Sequence, residues 1–448
     1  MGLTGIQIFK LLPKTNCKEC GVPTCLAFAM NLAAGKAELS SCPYVSEEAK
    51  AMLAEAAAPP IRPLAIGTGE NVVRIGGETV LFRHEKTFVN KPGIALLVSD
   101  SMAEAEIDAR LRRFNELKYE RVGLVLRPEM VAIKSESGDP TRFAALVKRV
   151  KEQSDGALIL MSDKVEVLQA GVKEVGDRNP LIYAATEENS DALANLAKEC
   201  KCPLAVRAQS LEALSALSDK LTAAGLKDLV LDSGARTLRK AFEDQVFIRR
   251  AALIQKNRSL GFPTITFPAE MAKDLMRETL IGAIFVAKYA GIIVLSDFQG
   301  ESLFPLLVER LNIFTDPQRP MMMQQGIYPI GNPTEESPVM ITTNFSLTYF
   351  IVSGEIEASR VPSWLLVMDT EGLSVLTAWA AGKFVGDAIG AFIKKGGVTE
   401  KVKHRRVIIP GAVAAVSGDL EEELGSGWEV KIGPREAAHL PAYLKMGN

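Results

Sequence analysis

Gly93-Ile-Ala-Leu-Leu-Val98, then the helically periodic Ala105 to Lys118, then Val122-Gly-Leu-Val-Leu126 set out a unit that repeats through the middle of the chain. These apolar runs lack the alternation of a half-buried strand, which marks strands covered on both faces. Six more follow: Ala157-Leu-Ile-Leu-Met161, Leu181-Ile-Tyr-Ala184, Leu204-Ala-Val206, Leu229-Val-Leu231, Thr264-Ile-Thr-Phe267 and Ile292-Ile-Val-Leu295. Helical segments such as Phe143 to Gln153 and Leu211 to Ala224 separate them. Eight βα units close most simply as a (β/α)8 TIM barrel, over residues 58–315, with an open doubly wound sheet as the alternative. Ser99, Asp100, Arg127, Ser162, Asp163, Thr186, Arg207, Asp232, Ser296 and Asp297 fall at the carboxyl ends of these runs, where barrels place their chemistry. No catalytic motif links them, so a docking surface is as well supported there as an active site.

Upstream, Asn71-Val-Val-Arg-Ile-Gly-Gly-Glu-Thr-Val-Leu-Phe82 reads as a hairpin turning at Gly76-Gly77. Ala56-Ala-Ala-Pro59-Pro60-Ile-Arg-Pro63 breaks any helix and separates off a module of residues 1–57, in which Thr4 is placed to cap a short helix. Downstream, five prolines between Pro317 and Pro338 mark a loosened stretch, with a linker over 316–325. Within it, Met321 to Met323 read as a hydrophobic anchor. The last domain, 326–448, alternates again, with strands at Val339-Met-Ile-Thr-Thr343, Trp364-Leu-Leu-Val-Met368, Arg406-Val-Ile-Ile409 and Trp428-Glu-Val-Lys-Ile432. That is the pattern of a Rossmann-like sheet, which binds ligands beyond the carboxyl ends of its strands. The candidate contacts are Met340, Thr342, Thr343 and Ser346, then Thr370, Glu371, Gly372, Leu373 and Ser374, then Gly411, Gly433 and Pro434. They are rich in hydroxyls and glycine, which let a bulky ligand approach the backbone, although a GxGxxG fingerprint is missing.

The 448 residues are 47% hydrophobic and 24% charged, ordinary for a globular chain, and a formal net charge of -2 gives no reason to expect nucleic acid or an anionic membrane as partner. Leu280 to Leu295 is the most apolar run, but Lys288 and Gly291 interrupt it, so a buried helix followed by a buried strand is expected rather than a membrane span. Cys200 and Cys202 do not face each other if the second begins a strand, so no disulfide framework is expected. The start Met-Gly-Leu-Thr-Gly carries no basic and apolar leader, and a cytoplasmic location follows.

The remaining cysteines carry the chemistry. Cys17-Lys-Glu-Cys20-Gly-Val-Pro-Thr-Cys25 and the later Ser40-Ser-Cys42-Pro43 give the spacing C-x2-C-x4-C-x16-C. Four convergent thiolates suit an iron-sulfur cluster or a tetrahedral zinc, and a tight triplet with a remote fourth ligand fits a [4Fe-4S] cube better than the paired knuckles of structural zinc. Thr24 is placed to cap a helix from Cys25, turning a helix N-terminus toward an anionic cluster.

This spacing, near the start of a chain of this length, resembles the large subunit of the corrinoid iron-sulfur protein of the reductive acetyl-CoA pathway and the gamma subunit of the acetyl-CoA decarbonylase/synthase complex. The resemblance implies a cluster module, a barrel and a corrinoid-binding domain in that order, matching the three regions above. It implies that the candidate contacts of the last domain hold a cobalamin-type corrinoid base-off. His84, His404 and His439 are the only histidines, and none sits in the Asp-x-His-x-x-Gly context that supplies cobalt with an imidazole. The implied activity is that of a methyl carrier. Co(I) accepts a methyl group from methyltetrahydrofolate or a pterin through a methyltransferase and passes it to acetyl-CoA synthase, while the cluster reductively restores Co(I) from Co(II). The implied partners are a small subunit forming a heterodimer, the methyltransferase, acetyl-CoA synthase/CO dehydrogenase, and a reductive activator or ferredoxin. An iron-sulfur electron-transfer subunit, or a cluster-dependent barrel reductase without corrinoid, are the competing readings.

Overall fold

The computed structural model describes residues 5–33, 36–37, 39–46, 48–50, 53, 58–121, 123–316 and 320–446. Thr4 and its expected cap lie outside them. The described chain falls into two compact units, one of residues up to 82, 88–117 and 128–314, the other of 83–87, 118–127 and 315 onward.

In the first unit, β1 (Leu64–Ile66) pairs antiparallel with β2 (Val73–Ile75), Leu64 opposite Ile75. The hairpin is therefore not the one expected around Gly76-Gly77. Its turn is the segment 67–72, with Gly67 at φ 91° and Gly69 at φ 64°, while the two glycines follow β2 instead of joining two strands. A Cβ on Gly76 would fall 2.2 Å from the Arg62 carbonyl oxygen, so that glycine serves a close backbone approach.

The barrel strands are β3 (Gly93–Ser99), β6 (Met130–Lys134), β7 (Ala157–Met161), β8 (Leu181–Ala185), β9 (Leu204–Arg207), β10 (Leu229–Asp232), β11 (Ile265–Thr266) and β12 (Ile292–Leu295). They form one parallel sheet in the order β10-β9-β8-β7-β6-β3-β12-β11, and a parallel bridge between Leu231 and Thr264 brings its two edges together. Ala95, Met130, Ile159, Leu181, Ala205, Val230 and Val294 share one buried core with Leu64, Ile66, Val73 and Ile75, so the β1–β2 hairpin packs onto the barrel interior. Leu275–Ala287 is a helix followed by β12, as the interrupted apolar run predicts.

One barrel strand differs from expectation. Residues Tyr119–Arg121 (β4) and Leu124–Leu126 (β5) make a separate two-stranded antiparallel ribbon, grouped with the second unit, and the second barrel strand is β6. Leu124 and Val125 are 52% and 62% exposed, so the apolar run lacks the double burial of a barrel strand. Val122 lies outside the described residues. Arg127 consequently does not end a barrel strand, and Lys134 takes its place.

In the second unit β13 (Gly326–Ile330), β14 (Val339–Thr343), β15 (Ser363–Met368), β16 (Arg406–Ile409) and β17 (Glu429–Ile432) run in the order β13-β15-β14-β16-β17. Only β13 is antiparallel. Alternate residues build a core on each face: Ile341, Leu366 and Ile409 with Phe384 and Ile389 on one, Met340, Leu365 and Ile408 with Ile356 and Leu440 on the other. Because β15 and β16 flank β14 on opposite sides, the chain reverses direction across the sheet at the carboxyl ends of β14 and β16. A doubly wound sheet opens a crevice there.

Candidate functional site

Between the helices Gly5–Leu11 and Cys25–Ala33 the chain has no regular structure, and it enters the left-handed region at Lys14, Asn16, Lys18 and Gly21. That curls the loop around the second helix's first residue. The Asn16 N–H points at Cys25 Sγ, 3.4 Å away, and the Asn16 side-chain oxygen accepts from the Cys25 N–H at 2.8 Å. Thr24 Oγ1 accepts from the Ala27 N–H at 3.1 Å, the expected cap, so the positive end of the helix lies at Cys25. Cys25 and Cys42 are buried in one apolar cluster with Ile8, Phe28 and Val45, and Cys20 packs partly against it. Cys17 is exposed. Tyr44 donates to Glu19 at 2.7 Å. The hydrogen bond and charge of Glu19, followed by burial and the charges of Cys17 and Cys42, push the phenol pKa up. Among the described residues, no three Cys, His, Asp or Glu side chains are arranged to hold a metal ion. What fits a cluster is the chemistry of the donor set: soft thiols, an N–H···S bond and a helix N-terminus, all within one small module. Asn16 and Tyr44 had no signal in the cysteine spacing.

At the carboxyl end of the second unit's sheet, Met340, Thr342, Gly433 and Pro434 line a cavity of about 150 Å3 with Ile408, Pro410, Ala412, Val375 and Leu440. Gly411 sits between two lining residues, Pro410 and Ala412. A Cβ there would fall 2.3 Å from the Gly433 carbonyl oxygen, and its N–H already donates to Pro434 O at 3.1 Å. Thr342 and Thr343 are 1% and 0% exposed, and neither hydroxyl has a hydrogen-bond partner. The Thr342 hydroxyl thus lines the cavity with its hydrogen-bonding capacity unused, in company with Thr348 and Arg435. No histidine lines the cavity. His404 uses both ring nitrogens elsewhere, on Ser337 O at 2.9 Å and the Arg406 N–H at 3.2 Å.

The other predicted contacts gather around Asn344 instead. Its side-chain oxygen accepts from the N–H groups of Thr370 and Gly372, both at 3.0 Å, and its amide donates to Asp369 at 2.9 Å. Glu371 and Gly372 are left-handed, at φ 57° and 74°, and Thr370 and Leu373 close the turn. Ser374 pairs with Thr377 at 3.0 Å. The segment expected as a linker lies against this loop: Met323 N–H donates to Asn344 O at 2.8 Å, and Ser346 N–H to Met321 O at 3.0 Å. Met323 is buried and Met321 packs against the same cluster, so two of the three methionines anchor the segment, while Met322 is 41% exposed. Asn344 and Asp369 lie within the expected ligand loops but are not among the individual contacts predicted there. The signal available was their type, since short amides and carboxylates tie loops to backbone N–H groups.

The barrel mouth holds a cavity of about 380 Å3 lined by Lys134, Asp163, Tyr183, Arg207, Arg236 and Glu270. Tyr183 donates to Asp232 at 2.5 Å, and Arg236 bridges Asp232, Tyr183 and Glu270. Burial first, then the Asp232 charge, pushes the Tyr183 phenol well above its ordinary range. Arg207 pairs with Asp163 at 2.8 Å.

Residues 63–444 match the family model described as CO dehydrogenase/acetyl-CoA synthase delta subunit, and residues 12–44 match an Fe-S cluster model. The corrinoid/iron-sulfur protein large subunit of Moorella thermoacetica is 48% identical over 99% of both chains. The acetyl-CoA decarbonylase/synthase complex subunit gamma of Methanopyrus kandleri is 38% identical over 99% of this chain and 97% of its own. Among solved structures, dihydropteroate synthase from Xanthomonas albilineans covers 57% of the chain at 12% identity, with a TM-score of 0.38. No helix of the described residues is long and apolar enough to cross a membrane. Full-length identity to large and gamma subunits, together with the cysteine module ahead of two α/β units, places the assignment: the chain belongs to the family of corrinoid/iron-sulfur protein large subunits and acetyl-CoA decarbonylase/synthase gamma subunits.

Proposed function

We propose that this chain carries a corrinoid in a methyl-transfer system of the acetyl-CoA pathway, with residues 326–448 as its Rossmann-like corrinoid-binding domain. The observation that carries the reading is the cavity at the carboxyl ends of β14 and β16, with the unpartnered Thr342 hydroxyl in a mostly apolar lining that also includes Thr348 and Arg435. When bound, the corrinoid would supply a nucleophilic cobalt that accepts a methyl group from methyltetrahydrofolate or a pterin through a methyltransferase and yields it to acetyl-CoA synthase.

The chain's own part is binding and orientation. Gly411 and Gly433 keep two loops in backbone contact and leave the cavity open. Thr342 offers a hydroxyl to a polar group of the ligand, and Asn344 fixes the 369–373 turn beside it. Cys17, Cys20, Cys25 and Cys42 would hold a [4Fe-4S] cluster, with the Asn16 N–H and the capped helix offsetting its negative charge. That cluster serves reductive reactivation, fed by an activator or ferredoxin. A small subunit completes the heterodimer, as the large-subunit name of the Moorella relative implies.

The test is anaerobic: iron, cobalt and visible absorption measured on the heterodimer, for the native chain and Cys20→Ala. About one cobalt and four iron per native heterodimer are expected. The variant should keep cobalt and carry methyl groups when reduced beforehand, yet lose reductive reactivation. Iron without cobalt in the corrinoid-supplied native heterodimer would point to an electron-transfer subunit, and unimpaired reactivation in the variant would remove the cluster's role.

A further inference from the structure

Cys200 and Cys202 belong to neither cofactor module, and the fold brings them together where an extended chain would splay them. Helix Ser190–Cys200 ends with Lys201 in the left-handed region, φ 55° and ψ 34°. The Lys201 N–H reaches back to Lys198 O at 3.4 Å and the Cys202 N–H to Ala197 O at 3.0 Å. This is the helix-ending turn that glycine usually makes, held here by a lysine at some strain. Strand β9 begins only at Leu204, so Cys202 belongs to the turn and folds back over residue 200. Cys202 Sγ lies 3.5 Å from Cys200 O, over the last turn of the helix, where Cys200 Sγ lies 3.0 Å from Leu196 O. Cys200 is half-buried and Cys202 is 4% exposed.

We propose that Cys200 and Cys202 form a thiol–disulfide exchange site that takes oxidising equivalents from small disulfides. The Cys200 thiolate attacks one sulfur of the small disulfide, forming a mixed disulfide and expelling one thiolate. Cys202 then loses its proton to solvent, and its thiolate attacks Cys200 Sγ and expels the second. The protein dithiol is oxidised and the small disulfide is reduced to two thiols, which balances atoms and electrons. The roles follow from the geometry: the accessible sulfur attacks and the buried one resolves. The hydrogen bond from Cys202 lowers the Cys200 pKa to about 7 against the opposing effects of burial and Glu199, while the same bond and burial push Cys202 up. The closed ring would be short, so the disulfide changes the chemical state of the turn more than the stability of the barrel.

The test uses the anaerobic complex incubated with glutathione disulfide, quenched in acid, alkylated and mapped by peptide mass spectrometry. The native peptide spanning both cysteines should be lighter by a pair of hydrogens and unalkylated, and dithiothreitol should restore both thiols. Cys202→Ser should stop at a glutathione adduct on Cys200, and Cys200→Ser should give no internal disulfide. Two alkylated thiols in the native protein, or a lasting glutathione adduct on it, would overturn the proposal.

Discussion

The barrel mouth and the end of the C-terminal sheet occupy equivalent positions, beyond the carboxyl ends of parallel strands, yet their polar accounts are opposite. At the barrel mouth Asp100 accepts from the Ser135 and Ser137 hydroxyls at 2.9 and 2.6 Å and from the N–H groups of Glu136 and Ser137 at 2.8 and 2.9 Å. Arg236 spends all five of its N–H donors on Asp232, Tyr183, Glu270 and Ala235 O. Charge there is answered by charge of the same chain. In the C-terminal sheet the buried hydroxyls of Thr342 and Thr343 have no partner, and the first of them lines the cavity. Charges paired within the chain hold the barrel mouth together, whereas the Thr342 hydroxyl leaves a hydrogen bond unmade at the cavity of the sheet.

The largest expected effect breaks this contrast on the side of the sheet. Gly411→Val sets a Cβ 2.3 Å from one backbone oxygen and 2.9 Å from the Arg435 nitrogen, and neither can swing aside as a side-chain tip would. Cobalt retained by the corrinoid-supplied heterodimer should correspond to affinity weakened by about 100-fold or more, roughly 2.7 kcal/mol, with iron unchanged. Wild-type cobalt in that variant would move the corrinoid away from this cavity.

A smaller effect tests the barrel side. Burial pulls the Asp100 carboxyl upward, but hydrogen bonds from Ser137, Glu136 N–H and Ser135 outweigh it and hold the pKa below the ordinary value. With the folded pKa below the unfolded one, the stabilisation is present above the unfolded pKa, about 4, and is lost as pH falls through the folded one. Asp100→Asn should lower stability at neutral pH by about 1–2 kcal/mol, and the gap to wild type should close on acidification below about pH 4. Thermal unfolding at pH 7 and pH 3.5 reads both, and cobalt content should not change. A loss of cobalt would mean that the barrel mouth takes part in cofactor binding.

The same contrast separates what the sequence shows from what it hides. The cysteine spacing is local and chemically narrow, so the cluster module was legible at once. Most barrel strands were legible because double burial leaves an uninterrupted apolar run. Val122–Leu126 imitated that signal with Leu124 and Val125, which the fold leaves exposed, while the true strand Met130–Lys134 follows Pro128-Glu129 and ends in lysine, and so reads as loop. The glycine pair after β2 reads as a hairpin turn, although Gly76 is required by the Arg62 backbone, a contact that exists only in three dimensions. For the C-terminal site the strand ends were legible, but the division of labour was not. Thr342 faces the cavity while Asn344, two residues on, ties down a turn, and only the side-chain partners tell them apart. The meeting of Cys200 with Cys202 was hidden for a similar reason, since it depends on one lysine adopting a left-handed backbone.

The smallest effect is the sharpest. Valine matches threonine in shape, so Thr342→Val removes the hydroxyl and little else. A buried hydroxyl without a partner costs about 1 kcal/mol or more, so the cofactor-free chain should gain about that much in stability. If the hydroxyl is answered by the corrinoid, the loaded protein should move the other way by about 1 kcal/mol, so that binding loses about 2 kcal/mol, the sum of the two changes, and the two thermal shifts should have opposite signs. Thr343→Val is the matched control. Its hydroxyl is equally orphaned but does not line the cavity, so the gain should appear with and without cofactor. If Thr342→Val also stabilises both forms, its hydroxyl serves no ligand. If it destabilises both, the hydroxyl already has a partner in the empty protein, and the difference between the two mouths disappears.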